Sequence, residues 1–177
     1  MRGARRRAGT GAAWLCLALL LSACQPRYNW REVRPEGGGV QTLMPCKPET
    51  AERSVPLGPQ PVPLHMASCE AGGITYALAW VALGSAADAP AALQAWASAS
   101  RQSLRSQQDA VWEAPRVEGA TVVEGRALQG QDHRGEAVDA RVVYALRGGR
   151  VYQAAVYGKA LPDEHLEPFF SNLKVEP

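Results

Sequence analysis

The amino-acid sequence predicts an α+β fold: an antiparallel sheet with both faces covered, sandwiched by helices. Three observations carry this. First, "ITYALAWVAL" (74–83) alternates with period two, and both of its sets are apolar: Ile74, Tyr76, Leu78, Trp80 and Ala82 against Ala77, Ala79, Val81 and Leu83. A strand apolar on both sides belongs in the middle of a sheet that is covered on both faces. Second, "SAADAPAALQAWASASRQSLRSQQ" (85–108) is one long amphipathic helix. Leu93, Trp96, Ala97, Ser100 and Leu104 recur at three- and four-residue steps, while Arg101, Gln102, Arg105 and Gln108 fall mostly on the wet side. Third, residues 120–158 read as three strands of an antiparallel meander. A β-sandwich decorated by one helix is the alternative architecture on the same observations.

The remaining elements follow in chain order. "YNWREV" (28–33) and "VQTLM" (40–44) read as short strands around the turn "PEGGG". Residues 53–57 and 62–67 pair as a hairpin around "GPQP". Asp88 is the expected helix N-cap, with Pro90 in the first turn. Within the meander, Val138, Ala140, Val142, Tyr144 and Leu146 point inward, and "RGGR" supplies a hairpin turn. At the C-terminal end, Pro162 or Asp163 opens a helix that Pro168 keeps short or broken, Phe169 and Phe170 pack it down, and residues 173–175 form a last strand.

The first 23 residues have a different character. A basic stretch, "MRGARRRAGTG", precedes a ten-residue apolar run, "AAWLCLALLL", too short for the ~20 residues that span a bilayer. Small residues Ser22 and Ala23 then lead to Cys24. This three-part order is that of a cleaved export signal. The tetrad "LSAC" (Leu21 to Cys24) resembles the lipobox of bacterial lipoproteins. That resemblance implies cleavage after Ala23, lipidation of Cys24, a short tether over residues 24–27 and a single domain over 28–177. It also implies a periplasm-facing protein of a Gram-negative envelope, with Gln25 after the cysteine favouring the outer over the inner membrane.

Removing the leader changes the charge. The whole chain carries +2, but four arginines and no acid precede Cys24, which leaves 15 basic against 17 acidic side chains. A slightly acidic body with no basic run gives no reason to expect nucleic-acid binding. The resemblance also allocates the cysteines: Cys16 leaves with the leader and Cys24 becomes a thioether. Cys46 and Cys69 remain, and in an oxidising compartment they are expected to pair. A catalytic or metal-binding pair is the alternative, without the support of a Cys-x-x-Cys or a neighbouring histidine cluster.

The element order, with "LMPCKP", "RVVYALRGGRVYQAAVYG" and Phe169-Phe170-Ser171 before the last strand, resembles the Mog1/PsbP-like fold used by periplasmic lipoproteins of the DcrB type. That fold class implies a partner-binding or accessory protein, and it carries no catalytic residues over.

The residues point the same way. His65 sits in a strand, and His133 and His165 lie among acids, where Asp132, His133 and Glu136 could converge on a metal or simply form a solvated turn. Gly-x-Ser-x-Gly, Ser-x-x-Lys and a phosphate-binding loop are all missing. The expectation is therefore a non-catalytic envelope module without cofactor or metal, held to the membrane through Cys24 and to an unidentified envelope protein through exposed aromatics. Trp112, Tyr152 and Tyr157 are the candidates, with core packing the competing role for each. The alternative function is a small-ligand binder with a pocket between helix and sheet, lined by Trp80 and Trp96. An unrecognised hydrolase ranks third.

Overall fold

A computed structural model describes residues 27–176. The leader, Cys24 and the start of the tether lie outside the described residues. Ten strands and two α-helices follow: β1 (Arg31–Val33), β2 (Val40–Met44), β3 (Glu49–Val55), β4 (Val62–Ala71), β5 (Ile74–Ala82), α1 (Ala89–Ser103), β6 (Gln108–Val111), β7 (Val122–Gln131), β8 (Ala137–Arg147), β9 (Arg150–Gly158), α2 (Asp163–Ser171) and β10 (Lys174–Val175). Among the described residues, no helix is long and apolar enough to cross a membrane.

Seven strands form an antiparallel sheet in the order β3-β4-β5-β9-β8-β7-β6. As expected, β5 lies inside it and its two side-chain sets enter different cores. Ile74, Tyr76, Leu78 and Trp80 face one layer, and Ala79 and Val81 face the other. The second layer is α1, whose Leu93, Trp96 and Ala97 pack on Leu128, Ala140, Val142 and Leu146.

The first layer is more than a helix. There α2 brings in Leu166, Phe169 and Phe170 beside a separate three-stranded sheet, β1-β2-β10. Strand β2 pairs with β10 from the far end of the chain, Val40 opposite Val175. Thr42 Oγ1 donates to the Phe169 carbonyl and joins that small sheet to α2. The molecule thus has a helix on one face of its main sheet, and a helix plus a small sheet on the other. The Cys46–Cys69 disulfide crosses this junction, tying the segment after β2 to β4 with Cα atoms 6.0 Å apart.

Two details of α1 differ from expectation. Asp88 makes no capping bond; Ser85 Oγ accepts from Ala87 N instead and opens a 3-10 turn, Ala86–Asp88, that leads into the helix. The helix also stops at Ser103, short of Gln108. Its end is a Schellman turn: Ser106 N donates to Arg101 O and Arg105 N to Gln102 O, with Arg105 at φ 46°. Residues 108–111 then form β6, so the meander has four strands where the sequence suggested three.

Candidate functional site

Helix α1 lies over β8 and β9. Its last turn meets β7, where Gln131 N donates to the Leu104 carbonyl. Gly130 permits this approach, because a Cβ there would stand 2.1 Å from that oxygen. A helix so placed covers the β4–β5 side of the sheet only in part: Leu64, Ala77 and Ala79 are buried, whereas Met66, Ser68 and Thr75 are half-exposed. The loop between β3 and β4 folds back over only part of it, burying Leu57. Between that loop and the flank of α1 runs a cleft of about 580 Å³, within the size range of small-molecule sites.

The cleft is built from simple periodicities. Its floor is the α1-facing set of β4 and β5: Leu64, Met66 and Ser68 beside Thr75, Ala77 and Ala79. Its helical wall is Ala95, Ala99 and Ser103, spaced four apart and so aligned on one flank, with Trp96 beside them. Small residues there keep the space open. Gln153 lies at the inner edge, buried, its Nε2 donating to Ser100 Oγ (2.9 Å) and to Tyr144 Oη (3.2 Å). Tyr157 lines the cleft half-buried, and burial raises the pKa of its phenol. Burial raises that of Tyr144 too, against the opposing effect of its bonds to Ser100 and Gln153. Arg53, on the rim, is the one charged side chain of the lining, which holds no histidine or carboxylate.

The aromatic candidates scatter. Tyr157 is in the cleft. Tyr152 is 1% exposed and its hydroxyl, in the opposite core, has no hydrogen-bond partner, so it offers no surface. Trp112 is half-buried, edge-on to Phe170 at 5.0 Å, beside a shallower hollow that includes Val111 and Val123. The pairing of Trp80 with Trp96 fails. Trp96 lines the cleft, but Trp80 shares the parity of Tyr76 and Leu78 and points to the other face, where His65 stacks on it at 5.2 Å.

The histidines have structural partners. His65 Nδ1 lies 3.1 Å from Glu52, and His165 stacks on Tyr28 at 4.4 Å. Among the described residues, no three His, Cys, Asp or Glu side chains are placed to hold a metal ion. Near His133, the Asp132 carboxylate instead closes its own turn, accepting from Arg134 N (2.8 Å) and Glu136 N (2.9 Å).

The sequence carried one unread signal for the cleft, the small-residue row Ala95, Ala99 and Ser103 beside the apolar stripe of α1. No protein-family model matches the chain, and a search of curated proteins finds no significant match.

Proposed function

We propose that the protein is a non-catalytic binding lipoprotein of the bacterial envelope, and that the cleft between α1 and the sheet is where it binds. The cleft itself carries this reading. It has the size of a ligand site, an apolar lining and a few polar groups, Ser100, Gln153 and Tyr157, at its inner edge. Its lining lacks the nucleophile–base or paired-carboxylate groups that a hydrolase needs. The lipobox-like "LSAC" supports attachment through Cys24, and Gln25 supports the outer membrane as its address. An antiparallel sheet with a layer on each face supports assignment to the Mog1/PsbP-like class. Docking of an envelope protein is the second reading, favoured by the hollow beside Trp112 and by Val111, which is 81% exposed.

The test is mass spectrometry of the intact protein extracted gently from its own membrane. The chain is expected to start at an acylated Cys24 and to carry a small molecule that the cleft-filling variant Ala99→Trp loses. Ala99 is exposed on α1, so the larger ring fills the cleft without entering the core. A free Cys24 thiol would remove the anchor. Identical cargo, or none, in both proteins would remove the cleft as the binding site.

A further inference from the structure

We propose that the cleft accepts an acyl chain drawn from the membrane in which the protein is anchored, entering at the end of the sheet nearest the bilayer. This rests on the cleft being the binding site and on the lipid at Cys24.

The first support is chemical. Leu57, Leu64, Met66, Ala77, Ala79 and Trp96 give an apolar lining interrupted by Ser68, the hydroxyl-bearing Thr75 and Tyr157 face each other at one end, and the exposed Arg53, opposite Leu64, is on the rim at the other. That is the pattern an amphiphile fits, tail along the aliphatic floor and polar linkage among hydroxyls. A polar solute would leave the floor unsatisfied, and would gain little from it.

The second support is direction. The sheet register sets the levels of the cleft. Leu64 is opposite Val81 at one end, Met66 opposite Ala79 comes next, then Ser68 opposite Ala77, and Thr75 opposite Tyr157 at the other end. At the Leu64 end the β3–β4 loop lies across, with Leu57 buried. At the Thr75 end Ser103 is exposed and Tyr157 half-buried, and the nearby β4–β5 turn is the exposed pair Gly72-Gly73. The cleft is closed at the Leu64 end and open at the Thr75 end.

The third support is where the chain enters. Tyr28 is seated against the same β4–β5 turn: a Cβ on Gly72 would stand 2.2 Å from its hydroxyl oxygen, and Gly72 has φ +62°. Stacking on His165 holds the ring from the other side. Three residues of chain, 25–27, separate Tyr28 from Cys24, and the four steps between their Cα atoms reach at most about 14 Å. Tyr28 stands on the α2 face of the sheet and the cleft opens on the α1 face; the mouth of the cleft and the root of the tether thus share one end of the sheet, on opposite faces, and a lipid on Cys24 would turn that end to the bilayer.

The experiment reconstitutes the full lipidated protein in vesicles of phosphatidylethanolamine and phosphatidylglycerol containing a phospholipid with a photoreactive acyl terminus. Illumination is expected to label peptides carrying Met66, Ala77 or Ser103, and Ala99→Trp or Ala95→Trp to lower that label about tenfold or more. Label near Tyr28 should not change, and an unchanged circular dichroism spectrum shows that the variants fold. Cleft labelling no greater than that of peptides with Val122 and Val123, or indifferent to both tryptophans, overturns the proposal. Should the cargo lost by Ala99→Trp prove to be a polar solute, the cleft remains a binding site and only the acyl-chain inference falls. Should neither cargo nor labelling respond, both fall.

Discussion

Gln153 on β9 reaches Ser100 on α1, its Nε2 donating to Oγ across 2.9 Å. The same nitrogen donates to Tyr144 Oη, so one side-chain amide ties two neighbouring strands to the helix that walls the cleft. A buried amide with its partners in place is stabilising, and one that loses a partner is costly. Ser100→Ala is expected to cost about 1 kcal/mol in urea denaturation. In a double-mutant cycle with Gln153→Leu, the coupling should be about 0.5–1.5 kcal/mol. Additive losses would show that the bond contributes nothing.

The Cys46–Cys69 disulfide closes a loop with a sequence separation of 23. Constraining the unfolded chain to that extent stabilises by about 3 kcal/mol. The double variant Cys46→Ser/Cys69→Ser should lose roughly that amount in denaturant, with the midpoint lowered. An unchanged midpoint would mean that the junction between the small sheet and β4 is held without it.

Arg105 adopts φ 46°, where a side chain is strained and glycine is not. Arg105→Gly is expected to raise stability by about 0.5–1 kcal/mol, net of the greater freedom glycine has when unfolded. A loss of stability would show that the arginine side chain itself holds the end of α1.

Asp132 accepts two backbone N–H bonds, and these hold its carboxyl below the ordinary 3.8, with the bond from Glu136 the largest cause. A depressed folded-state pKa means that the contribution of this turn is complete above the unfolded value and is lost as pH falls through the folded one. An NMR titration of the Asp132 carboxyl should therefore give a midpoint under 3.8. A midpoint at or above it would contradict the turn as described.

Much of this architecture is local in origin and was legible. Period-two alternation placed Ile74, Tyr76, Leu78 and Trp80 on one face of β5. Helical spacing found Leu93, Trp96 and Ala97, and alternation in β8 gave the inward set from Ala140 to Leu146. What escaped is set by tertiary contact or hidden chemistry. The end of α1 has an arginine where glycine would announce it, so the helical pattern runs on to Gln108 and gives no sign of β6. The small sheet depends on Val40 meeting Val175, which no local pattern encodes. The cleft exists because α1 crosses β8 and β9 and not β4, a matter of helix position. Trp80 and Trp96 share no pocket, and the parity of β5 alone separates them, since it sets Trp80 with Tyr76 on the far face.

The central claim is that the cleft binds. Its most direct test is methyl NMR of the protein titrated with decanoate, a soluble single-chain amphiphile. Saturable shifts are expected for the methyls of Leu57, Met66, Ala77 and Ala99, and for the side-chain amide of Gln153, all at the cleft. Shifts confined to Val111 and Val123, or no saturable shift at the cleft methyls, would contradict the account.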